Sequence, residues 1–133
     1  MIDAGYTPPN GMDAQQLSKT LPIEIKDLFH IADRQDEIPW IPYKEGVEIF
    51  RLYGDGITGP TAALLRYNKA GEVPMHEHSG YEHIFVLSGS QEDGHGIFNA
   101  GSVVINAPGS KHKVRSSGGC IVLAIYEKPV RFL

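Results

Sequence analysis

Glycine and proline break the second half of this chain into short apolar runs, and that punctuation constrains the fold more than any other feature. From Gly46 onward, residues 47–53 end at Gly54-Asp55-Gly56, and residues 61–67 end at Asn68-Lys69-Ala70-Gly71. Residues 73–78, 82–87, 97–98, 103–106, 112–115 and 121–126 continue the series. Each run is the length of a strand, and none carries a helical period over a useful length. Glu92-Asp93-Gly94 marks a hairpin, because Asp-Gly supplies the positive φ of a tight turn. Short strands between frequent turns predict an all-β sandwich or barrel. With 133 residues the chain is the size of one domain with one core.

The first part reads differently. Residues 1–20 are polar and turn-rich, with Thr7-Pro8-Pro9-Asn10-Gly11 as a breaker. A loose arm is expected there, with one short helical turn around Asp13 to Lys19. Ile23 and Ile25 alternate with Glu24 and Lys26, which predicts a half-buried strand from Leu21. In Ile38-Pro39-Trp40-Ile41-Pro42 two prolines exclude a helix and disfavour a central strand. We therefore divide the chain into an arm over 1–37, partly strand, and a barrel domain over 38–133. The apolar stretch from Leu21 to Pro42 is expected to pack on the barrel or across a homodimer.

The net charge of -4 comes with no Lys/Arg cluster, which argues against nucleic acid or an anionic membrane as partner. No apolar run approaches the roughly 20 residues of a spanning helix, and Met1-Ile2-Asp3-Ala4-Gly5 does not read as a secretory signal. One cysteine, Cys120, allows no internal disulfide. A cytoplasmic location is the expectation.

The chemistry is concentrated in Gly71-Glu72-Val73-Pro74-Met75-His76-Glu77-His78-Ser79-Gly80-Tyr81-Glu82. Residues two apart on a strand share a face, so His76 and His78 project two imidazoles the same way. Ser79-Gly80 allows a turn, and Glu82 returns a carboxylate on the next strand. His112, after Pro108-Gly109-Ser110, offers a third imidazole. Three imidazoles and a carboxylate suit Fe(II), Mn(II), Ni(II), Cu(II) or Zn(II). They do not suit Mg or Ca, which prefer oxygen shells.

Gly71, His76, His78, Glu82 and Gly89, followed by Gly101, Pro108 and His112, resemble the two sequence segments of the cupin superfamily (RmlC-like proteins). The spacer from Gly71 to His76 is one residue short. Gly109 falls one place early, and Ser116 stands where Asn is common. The resemblance implies a double-stranded β-helix, a jelly-roll barrel, whose metal positions are His76, His78, Glu82 and His112. Trp40-Ile41-Pro42, Arg66 and Gly118-Gly119-Cys120 extend the likeness, over roughly 38–127, to one cupin subgroup. That subgroup includes the zinc-binding sensor half of a bacterial anti-sigma factor. It also includes enzymes that cleave acetylacetone and related compounds with O₂.

Two functions follow as expectations. One is a metal-dependent, dioxygenase-like enzyme on a small oxygenated, β-dicarbonyl-like substrate. There Glu82 either stays bound to the ion, most simply Fe(II), or acts as a base. The other is a non-enzymatic metal sensor, which zinc would serve as well. Among the remaining residues, His83 is expected on the face opposite Glu82, and His95 in an exposed turn. Arg66 is expected in a structural ion pair, Trp40 in the barrel wall, and Cys120 as a buried hydrophobe.

Overall fold

The computed structural model of the protein describes residues 22–133. The arm before Leu21 and its helical turn lie outside the described residues. Ten antiparallel strands follow a 3₁₀ segment, Leu28–Glu37. They are β1 Ile41–Lys44, β2 Val47–Tyr53, β3 Thr61–Tyr67, β4 Gly71–Glu77 and β5 Glu82–Asp93. The rest are β6 Gly96–Asn99, β7 Val103–Asn106, β8 Lys111–Ser116, β9 Cys120–Tyr126 and β10 Arg131–Phe132.

The sheet runs β1-β2-β3-β9-β5-β8-β4-β10, with β6 and β7 also on β5. The long strand β5 makes this order a curled barrel. Its first half, Glu82 to Gly89, pairs with β9. Its second half, Ser90 to Asp93, leaves β9 for β6, and Glu92 meets Arg115 of β8. The crossover needs a corner, and the register slips between Val86 and Ser88 to make one. Gly89 follows with φ 72, and a Cβ there would stand 2.1 Å from the Gly119 carbonyl oxygen. No other residue fits that approach.

Two apolar layers result. Ile49, Ala63, Leu65, Val73, Ile84, Val86, Val114 and Val122 fill the barrel interior. Outside, Ile31, Ile38 and Trp40 cover Leu64, Leu87 and Ile121. The strand expected at Ile23 and Ile25 is not formed among the described residues. Both side chains do pack, against the cluster of Leu52 and Ala62, so the alternation was meaningful. The position beside β2, however, is taken by β1, which pairs Ile41 with Ile49. Residues 23–25 therefore lie on the sheet's face, and Asp27, at φ 52, turns the chain into the 3₁₀ segment. Pro42 is tolerated because β1 is an edge strand.

Candidate metal centre

Strands β4 and β8 are neighbours, and their register makes His76 and His112 direct cross-strand partners. That register is not uniform. Val73 faces Val114 and His76 faces His112, so β4 carries one residue more between the pairs. The bulge sits at Pro74-Met75, where proline's missing N–H is not needed. It turns His76 inward although Val73, three residues earlier, is also inward. His78 follows just past the strand. Its backbone is pinned to the Pro108-Gly109-Ser110 turn by His78 N–H to Ser110 O, 2.9 Å, and Gly109 N–H to His78 O, 2.8 Å. The turn therefore fixes both His78 and the start of β8.

The three rings converge. Ring centroids lie 4.7 Å apart for His76–His112 and His78–His112, and 5.1 Å for His76–His78. One donor nitrogen from each falls within 4.8 Å of the others, and all three residues are buried. Each Nδ1 is engaged outward. His76 Nδ1 meets Pro74 O at 2.8 Å, the carbonyl that the bulge exposes. His78 Nδ1 meets Ser110 Oγ at 3.1 Å, and that hydroxyl already donates to Ala107 O. His112 Nδ1 meets Asp93 Oδ2 at 2.9 Å. With Nδ1 held as a donor, Nε2 is the nitrogen each ring turns inward, the arrangement that orients imidazoles for a metal.

Glu82 opens β5 beside this group but falls outside the set of mutually close donors. Its Oε1 lies 2.9 Å from His78 Nε2 and accepts from Asn106 Nδ2 at 3.1 Å. Since His78 Nδ1 already donates, a neutral Nε2 would turn its lone pair towards a carboxylate. A proton or a cation is required between them, and this donor chemistry fits a divalent ion. Without one, burial favours neutral His78, but the hydrogen bond and charge of Glu82 outweigh it and raise the ring's pKa. Burial likewise opposes ionised Glu82, yet His78, His76 and Asn106 together hold its carboxyl below the usual range. For His76, burial dominates and the pKa is lowered.

A cavity of about 50 Å³ adjoins His76, Glu82 and His112, enough for more than one water at roughly 10–15 Å³ each. Its wall is mostly aliphatic, with Tyr43, Tyr67, Gln91 and Tyr126 as polar exceptions. Burial, helped by Tyr126, pushes the Tyr43 hydroxyl up to about 12. Tyr43 therefore stays a neutral donor.

The other sequence candidates sort cleanly. His95 is exposed and His83 half-buried, with His83 paired across to Ile105 and Ile125. Arg66 pairs with Glu48 at 2.8 Å and lies over the Trp40 ring at 4.8 Å. Cys120 is buried, and desolvation pushes its thiol up to about 11. Sequence reasoning missed Asp93, which it read only as a turn residue, together with Asn106, Ser110, Gln91 and Tyr67. Only the parity of β5 places Asp93 and Gln91, and that strand is far longer than its apolar run suggests.

A family model described as the ChrR cupin-like domain matches residues 30–131. No curated protein matches the sequence significantly. Among solved structures, an RmlC-like cupin from Ralstonia eutropha JMP134 aligns at 25% identity and TM-score 0.62, over 71% of this chain and 66% of that one. Rhodobacter sphaeroides SigE in complex with the anti-sigma ChrR gives 28% and 0.64, over 84% of this chain and 64% of that one. This chain thus spans just under two thirds of those two relatives. An acetylacetone dioxygenase from Acinetobacter johnsonii, at 18% identity and TM-score 0.65 over 71% of each chain, shares the fold. Among the described residues no helix is long and apolar enough to cross a membrane.

Proposed function

The chain belongs to the ChrR cupin-like domain family, and on that premise we propose that it is a metal-dependent, dioxygenase-like enzyme. The substrate class is a small, uncharged, oxygenated organic molecule such as a β-dicarbonyl. The observation that carries this reading is the cavity. It is aliphatic-walled, it abuts two of the three converging imidazoles, and Glu82 forms part of its lining. A mostly apolar space with a few convergent polar groups is the usual form of a small-molecule site, and because this one is partly open, a substrate larger than its roughly 50 Å³ interior extends out through the mouth.

In this reading His76, His78 and His112 hold one divalent ion, with Glu82 as fourth ligand or detached base. When bound, the ion supplies Lewis acidity, a template for substrate oxygens and, as iron, redox capacity. Pro74 O, Ser110 and Asp93 keep the imidazoles aimed at it. Asn106 steadies Glu82. The ionised Glu82 carboxylate faces the cavity and can take a proton from a carbon flanked by two carbonyls, an unusually acidic C–H. The test is oxygen uptake by iron-loaded protein with pentane-2,4-dione and related dicarbonyls. Uptake that is stoichiometric with substrate loss, and absent in Glu82→Gln, is expected. No uptake with any of them contradicts the enzyme reading.

The family match and the 28% likeness to a structure containing anti-sigma ChrR favour a second reading, a metal-binding regulatory module. Tight zinc retention, with no oxygen chemistry after iron loading, is its signature.

A further inference from the structure

The barrel cavity holds a second polar feature besides the imidazoles. Tyr67 on β3 and Gln91 on β5 both line it, and they are only 4% and 5% exposed. Gln91 Nε2 donates to the Tyr67 hydroxyl oxygen at 3.3 Å. That bond leaves the phenolic O–H without an acceptor and the Gln91 carbonyl without a donor among the described residues. Counting the second amide N–H, two donors and one acceptor are free, and turning the amide over exchanges which groups these are without changing the count.

The Gln91 oxygen is not sealed in. Among the described residues, the enclosed side-chain atoms that lack a partner are Arg51 Nε and Thr61 Oγ1. Gln91 Oε1 is not one of them, so it keeps accessible surface, and Gln91 is part of the cavity wall. The cavity's wall includes Leu65, Val73, Val114 and Val122. Unpaired polar groups in such surroundings cost stability, and interiors normally avoid them. Of the ionisable groups acting on Tyr67, namely Cys120, Glu82 and Tyr43, none is cationic and Glu82 is the one that is ionised. An anionic ligand group is therefore disfavoured here, whereas a neutral hydroxyl, with one donor and two lone pairs, matches the free groups.

We propose that Tyr67 and Gln91 form the specificity end of the cavity and bind a neutral hydroxyl of a small oxygenated ligand whose opposite end lies towards His76, Glu82 and His112. This rests on the enzyme reading above, and it narrows the substrate class to hydroxylated rather than plain dicarbonyl-like molecules. A ligand lacking the hydroxyl leaves both polar atoms unpaired once it displaces the water there, which makes the site selective.

The test is calorimetric titration of the zinc-loaded protein, in which no oxidative turnover occurs. The two probes are pentane-2,4-dione and 1-hydroxypentane-2,4-dione. The wild type is expected to bind the hydroxylated probe at least about tenfold more tightly, the value of one buried hydrogen bond. Tyr67→Phe and Gln91→Leu should each bring that ratio near unity while keeping metal content, since neither residue is a metal donor. A wild-type ratio near unity means that the pair holds only water, and it overturns the proposal. So does a preference retained in both variants. Because the wild-type ratio is decisive by itself, a variant that fails to fold does not shield the idea. Failure of both probes to bind the wild type sinks the substrate-site reading and this inference with it, whereas binding without preference sinks this inference alone.

Discussion

Replacing Asp93 with Asn tests how the hairpin supports the donor cluster. Asp93 Oδ2 accepts from His112 Nδ1 at 2.9 Å, and both side chains are nearly buried, at 5% and 8% exposure. Its Oδ1 accepts the His95 backbone N–H at 2.7 Å, which anchors the carboxylate in the β5–β6 turn. Burial opposes its ionisation, but those two bonds prevail and hold its carboxyl below the ordinary range. The carboxylate thus draws on the Nδ1 proton of His112 and makes Nε2 a stronger donor, while fixing the ring's rotation. Asn keeps the shape and loses the charge. Loss of such a partner typically costs about 10–100-fold in metal affinity, or about 1.4–2.7 kcal/mol. The assay is zinc competition against a chromophoric chelator at constant pH. Glu92→Gln is the control, because Glu92 bonds Arg115 and Ser117 on the surface and no imidazole. Affinity in Asp93→Asn within about twofold of wild type would refute the reasoning.

His78→Ala should destabilise the metal-free protein by about 3 kcal/mol in urea unfolding, since it strands the buried Glu82 carboxylate. Adding Glu82→Gln to that variant should restore much of the loss. The Cys120 thiol, raised by burial from 9.0 to about 11, ionises in the unfolded chain first. Its stabilising effect is complete below pH 9 and fades as pH rises towards 11, by up to about 2–3 kcal/mol. Cys120→Ala should flatten that part of the alkaline stability profile. Arg66→Met should lower stability by about 1–2 kcal/mol, through the lost Glu48 pair and Trp40 contact, and leave metal content unchanged.

Much of the barrel could be read directly from turn punctuation, because Gly and Pro act locally. The bounds of β2 and β3 came out as read, 47–53 and 61–67. The His-x-His pair was readable because strand parity is local too, although the structure achieves it through a bulge at Pro74-Met75 that alternation alone does not reveal. What stayed hidden was non-local. Whether Ile23 and Ile25 join a sheet depends on which strand reaches β2 first, and β1 does. That Asp93 and Gln91 face inward follows from how far β5 continues beyond its apolar run, across the corner at Gly89. Partners separated as widely in sequence as Asp93 and His112 leave no mark in local periodicity.

The central claim is that these imidazoles hold one divalent ion. It is tested most directly by elemental mass spectrometry of protein purified without chelator or affinity metal from iron- and zinc-supplied cells, alongside His76→Ala and His112→Ala. About one transition-metal ion per wild-type chain, lost in both variants, is the predicted result. A wild type that carries no metal, and takes up none when titrated with Fe(II) or Zn(II), would contradict it.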